Sequence, residues 1–255
     1  MKRDGIKFKL ATSGALALRV CVLAAAASLG GAQLFASPIS GTVNINGSVG
    51  VTGSLIDFQL PIGGPNGAFI VGDTGNTGSF AGLAGTTGSI LDLNVAAQPV
   101  GSSFLLPGFI TFAAMPNIRF DLTSIAAGTF PGTQCAAAPA AGQICTPAGS
   151  PFNLSNSSAT SSTENFSVSG NVVNRETGEL STFTGIFTTQ FPNQSFQDLL
   201  SVLSTGGTVN STYSASFSAT VTPAGVPEPS TWLLVSVGMV CVFFSSRRSR
   251  KAARG

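Results

Sequence analysis

The stretch Thr208-Val-Asn-Ser-Thr-Tyr-Ser-Ala-Ser-Phe-Ser-Ala-Thr-Val-Thr222 decides the fold class. Val209, Tyr213, Ala215, Phe217, Ala219 and Val221 fall on one face of an extended chain, and Asn210, Thr212, Ser214, Ser216, Ser218 and Thr220 on the other. A period of two means a long strand buried on one side and wet on the other. The same alternation recurs at Val43, Ile45, Val49 and Val51, at Ile118, Phe120 and Leu122, and at Phe166, Val168 and Val172. Turn residues separate these runs: Gly63-Gly64-Pro65-Asn66-Gly67 and Gly72-Asp73-Thr74-Gly75-Asn76 bound a short strand at Ala68 to Val71, and Glu176-Thr177-Gly178 reads as a hairpin turn. The expectation is an all-β domain, an antiparallel β-sandwich of jelly-roll-like form.

One helix interrupts the strands. Phe196, Leu199, Leu200 and Leu203 recur at helical spacing, Ser195 is placed to cap with Asp198, and Gly206-Gly207 stops the run. Such a helix would close one end of the sandwich. The polar stretch from Ser150 to Asn165 reads as a long surface loop. No repeat of fixed length emerges.

Composition narrows the chemistry. Of 255 residues only 9% are charged, and none is histidine, which removes Ser/His/Asp and Cys/His nucleophile systems and imidazole metal sites. Ten of the twelve Lys and Arg residues lie at the two ends. Between residues 37 and 225 the cations are Arg119 and Arg175, against Asp57, Asp73, Asp92, Asp121, Glu164, Glu176, Glu179 and Asp198, a net charge of −6. An acidic body with two cations does not bind nucleic acid.

Both ends read as addresses. Residues 1–36, with a basic start and an apolar stretch from Val20 to Leu29, read as a signal peptide, cut after Ala36 or Ala32; an uncleaved membrane helix is the competing reading. At the other end, Val226-Pro227-Glu228-Pro229-Ser230-Thr231 precedes an apolar run from Trp232 through Leu233, Leu234, Val235, Val237, Met239, Val240, Val242 and Phe243 to Phe244. Arg247, Arg248, Arg250 and Lys251 follow. Two prolines around a glutamate keep the backbone extended and accessible. The apolar run would span about 20 Å as a helix, short of the ~30 Å hydrocarbon core, and so make a marginal anchor. The arginines would stay on the cytoplasmic side as a basic stop.

This end resembles the PEP-CTERM protein-sorting signal of Gram-negative bacteria. The resemblance covers about the last thirty residues, 226–255. It implies recognition of Pro227, Glu228 and Pro229 by an exosortase, a membrane-embedded cysteine protease, and cleavage near Pro229. It also implies an inner-membrane-anchored precursor that ends on the cell surface or in an exopolysaccharide matrix. The chain then divides into a signal peptide (1–36), a secreted domain (37–225) and the sorting signal (226–255).

Within the secreted part, Cys135 and Cys145 enclose an Ala-, Pro- and Gly-rich segment. In an exported chain this pair is expected to form a disulfide that pins a loop; two sulfurs without histidine make a poor metal site. Catalysis would have to run on carboxylates, of which Glu176 and Glu179 are the nearest pair, and these straddle a turn. Asp73, Thr74 and Asn76 offer oxygens suited to calcium, but equally suited to a turn. The expectation is a non-enzymatic surface or matrix protein with no catalytic residue, metal or cofactor. Its partners would be an exosortase-like protease, the membrane before processing, and exopolysaccharide. A carbohydrate-binding module and a carboxylate-dependent glycosidase are the alternatives.

Overall fold

The alternating run near residue 210 is the last strand of a closed barrel. The computed structural model describes residues 38–59 and 67–221. In chain order the strands are β1 (Gly41–Val51), β2 (Leu55–Gln59), β3 (Ala68–Val71), β4 (Thr87–Ile90), β5 (Leu93–Asn94) and β6 (Ser103–Phe112), followed by β7 (Met115–Ile125), β8 (Ile144–Cys145), β9 (Asn153–Ser158), β10 (Ser161–Asn174), β11 (Leu180–Phe191) and β12 (Val209–Val221). The single α-helix among the described residues, α1 (Phe196–Ser204), lies between β11 and β12.

The antiparallel, one-helix expectation holds, but the sandwich does not. Neighbours run β11-β12-β1-β3-β4-β6-β7-β10, and β10 returns to β11, so eight strands form a closed circuit. The seam between β1 and β12 is paired from Gly41 opposite Ala219 to Val51 opposite Val209. Alternation along a strand states which face is buried. It does not state whether the sheet has ends, and closure removes the exposed edges that two packed sheets would leave. β2 and β5 extend from β1, while β9 and β8 extend from β10.

The inward face is largely phenylalanine. Phe58, Phe69, Phe80, Phe109, Phe112, Phe120, Phe183, Phe187 and Phe217 are each at most 2% exposed. Phe120 packs against Phe183 with ring centroids 4.9 Å apart, and Phe166 stacks on Phe187 at 4.6 Å. An eight-stranded barrel has room for about this much side chain. Large rings need small neighbours: a Cβ on Gly185 would lie 2.5 Å from Phe217 Cδ1 and Cε1. Val221, expected on the inward face, is exposed where β12 ends.

The stretch read as a surface loop is the correction with most consequence. Residues 153–158 and 161–174 are β9 and β10, paired as a hairpin. The strand period continues through it, but with polar residues inward: Asn156, Ser162 and Glu164 are buried. Asn156 is satisfied by accepting from Phe196 N at 2.9 Å and donating to Gln197 Oε1 at 2.9 Å. Those bonds fasten the start of α1 to β9. The helix begins as expected, with Ser195 Oγ accepting from Asp198 N at 3.2 Å and Ser195 N donating to Asp198 Oδ2 at 3.0 Å.

The expected signal peptide, the expected turn at residues 63–66, the sorting residues 226–231, the apolar run 232–244 and the basic residues after it lie outside the described residues. Among the described residues no helix is long and apolar enough to cross a membrane.

Candidate functional site

Three side chains on neighbouring strands meet at one end of the barrel. Glu164 on β10 pairs with Thr189 on β11, and Thr189 pairs with Tyr213 on β12. Directly opposed residues of adjacent strands place their Cβ atoms about 5 Å apart, and all three side chains are buried on the inward face. Tyr213 continues the row over β1, where its partner is Gly47. A Cβ at Gly47 would meet the ring at 2.6 Å, so glycine is what lets the tyrosine lie across that strand.

The row borders a cavity of about 180 Å³. Phe58, Phe166 and Phe187 form part of its wall, and Leu199, Leu200 and Leu203 of α1 line it as well. Glu164 and Tyr213 are the titratable residues among those lining it, and no cation is present. Glu164 is 8% exposed and Tyr213 3% exposed. Glu164 Oε1 and Tyr213 Oη are buried and have no hydrogen-bond partner among the described residues. A third such atom, Asp57 Oδ1, belongs to a half-buried residue outside this cavity.

Burial sets the electrostatics. Removal from water pushes the Glu164 carboxyl up to about 8, opposed by a hydrogen bond from the Thr189 side chain. At neutral pH Glu164 is therefore mostly an uncharged acid, able to donate as well as accept. Burial also raises Tyr213, which stays a neutral phenol. The cavity thus presents a neutral polar pair in an apolar wall.

The other acidic residues singled out from the sequence serve the scaffold. Arg119 Nε lies 3.0 Å from Asp121 Oδ1, and Asp121 Oδ1 accepts from Gly108 N at 2.7 Å. Glu176 is exposed at the β10–β11 turn and accepts from Asn117 Nδ2 at 2.9 Å. Asn76 works as a turn clamp, accepting from Asn44 N at 2.9 Å and donating to Gly72 O at 2.7 Å. Asn44 Nδ2 donates to Thr74 O at 3.0 Å.

Cys135 and Cys145 are disulfide-bonded, with Cα atoms 5.1 Å apart. Both pack with Leu154 of β9 and Phe196 of α1, so the crosslink supports the cavity end. Replacing both by serine is expected to lower stability by about 3 kcal/mol on the loop-entropy account. Urea unfolding of the pair variant beside the oxidised protein checks this; equal midpoints would sink it.

The protein-family comparison bears on the other end of the sequence. The model for the PEP-CTERM protein-sorting motif matches residues 225–248. The chain carries a PEP-CTERM motif. The matched span takes in the Pro227-Glu228-Pro229 segment, the apolar run and Arg247-Arg248, while Arg250 and Lys251 follow it. A PEP-CTERM motif marks an exported protein, made as a membrane-anchored precursor and sorted by an exosortase, a membrane protease. No curated protein and no solved structure matches the chain, so the barrel takes no functional reading from relatives.

Proposed function

We propose that this is a non-enzymatic protein of the cell surface or exopolysaccharide matrix, freed from its membrane anchor by exosortase cleavage near Pro229. The observation that carries the proposal is the PEP-CTERM match at residues 225–248. Three features of the barrel support it. The cavity holds one carboxylate, Glu164, whereas glycosidic hydrolysis uses two facing ones. Every aromatic ring among the described residues is buried or half-buried, and sugar-binding faces rely on exposed rings. The outward face of β12 is an unbroken row of Asn, Ser and Thr, suited to a hydrated polysaccharide environment.

The sorting step is tested in cells with a working exosortase. Deleting residues 226–255 is expected to release the protein from the envelope into the medium. Glu228→Ala is expected to leave full-length precursor in the inner membrane, where the unaltered protein loses its arginine-rich tail. Fractionation and intact-mass measurement read both outcomes. A native mass that still includes Arg247 to Gly255, or envelope retention unchanged by the deletion, overturns the proposal.

A further inference from the structure

We propose that the cavity beneath α1 is a binding site for a small, uncharged, mostly apolar molecule bearing one carbonyl or hydroxyl oxygen, which the Tyr213 hydroxyl receives. Two buried polar atoms, Glu164 Oε1 and Tyr213 Oη, border the same space and lack partners among the described residues. Buried polar groups in folded proteins are almost always paired, because leaving them unmatched is costly. The two stand two strands apart, on either side of Thr189, and the Tyr213 ring leans over Gly47 of β1, away from Glu164, so each offers a separate polar point on the wall.

The remaining features select the ligand's class. Phenylalanine, leucine, valine and isoleucine together form most of the wall, which favours a hydrocarbon body. With no cation lining the cavity, a bound carboxylate or phosphate would keep its charge unpaired in an apolar setting, so anions are excluded. A neutral Glu164 and a neutral phenol both donate, which suits a carbonyl, and both accept, which suits a hydroxyl. Apolar cavities of about 150 Å³ take up a benzene-sized molecule, and this one is about 180 Å³. Access is available at the rim, where Gly53 is exposed and Ser150, Leu200 and Leu203 are half-buried. Ordered water is the competing occupant, and it differs in a measurable way: water would satisfy the polar pair without favouring any organic ligand.

The test is calorimetric titration of the full-length, disulfide-bonded protein at neutral pH with three probes of one size: acetophenone, its hydrocarbon counterpart ethylbenzene, and the anion benzoate. Acetophenone is expected to bind about tenfold more tightly than ethylbenzene, the effect of one well-made hydrogen bond, and benzoate not at all. Tyr213→Phe, which keeps the ring, is expected to abolish that preference while leaving ethylbenzene affinity unchanged. It is also expected to raise the melting temperature of the empty protein, since an unmatched hydroxyl is gone. Glu164→Gln, which retains a donor and an acceptor, is expected to keep the preference. Equal affinity for ketone and hydrocarbon overturns the proposal, as do no binding by either, a preference that survives Tyr213→Phe, and a fall in the empty variant's melting temperature. None of these results bears on sorting.

Discussion

Glu164→Gln is expected to make the barrel more stable, by an amount that grows with pH. The folded-state value of about 8 stands against 4.5 for the free side chain. Below about pH 4.5 the carboxyl is protonated whether the chain is folded or not, and the substitution changes little. Between 4.5 and 8 only the unfolded chain ionises, so folding is progressively penalised; above 8 the penalty levels off. At 1.36 kcal/mol for each pH unit of separation, the full penalty is about 5 kcal/mol, and about 3 kcal/mol at pH 7. Urea unfolding at several pH values, comparing the two proteins, measures this directly. The difference in unfolding free energy should rise steadily from pH 5 to pH 8. Parallel profiles would mean that Glu164 is solvated or paired in the folded state, and the description of the cavity would fail with it.

Phe120→Ala is expected to cost about 3–5 kcal/mol, the usual price of truncating a buried ring, against a total stability of about 5–15 kcal/mol for a typical domain. Phe120 is fully buried, and its ring centroid lies 5.8 Å from that of Phe80, 5.7 Å from Phe112, 4.9 Å from Phe183 and 6.1 Å from Phe217. Those four rings come from a 3₁₀ turn and three strands around the circuit, so no single neighbour can move in to fill the gap. Phe120→Leu retains more volume and should lose less. The urea midpoint should drop while the slope of the transition holds; a loss below about 1 kcal/mol would show that the interior collapses around the vacancy.

What could be read from the residues follows from which signals are local. The long alternation of β12, the strand at Ala68–Val71, the turn at Glu176-Thr177-Gly178 and the capped helix at Ser195 are all written in short windows, and the structure has them. The Cys135–Cys145 pairing was also legible, from spacing and export together. Closure into a barrel was not, because the pairing of β1 with β12 joins segments about 170 residues apart and leaves no mark on either strand's pattern. The cavity was missed for a different reason. Hydrophobic alternation fails where inward positions are polar, and Asn156, Ser162 and Glu164 are inward and polar. Extending the Phe166-Val168-Val172 period one step upstream would have placed Glu164 inside, which was the one available signal.

The β1–β12 seam also bears on how an exported chain reaches its folded form. Gly41–Val51 emerges early and has no partner on its β12 side until Val209–Val221 arrives. Pairings that distant form slowly, so the cylinder cannot close until its last strand is present. The PEP-CTERM match begins four residues behind that strand, so the strand that closes the barrel and the sorting motif are delivered together.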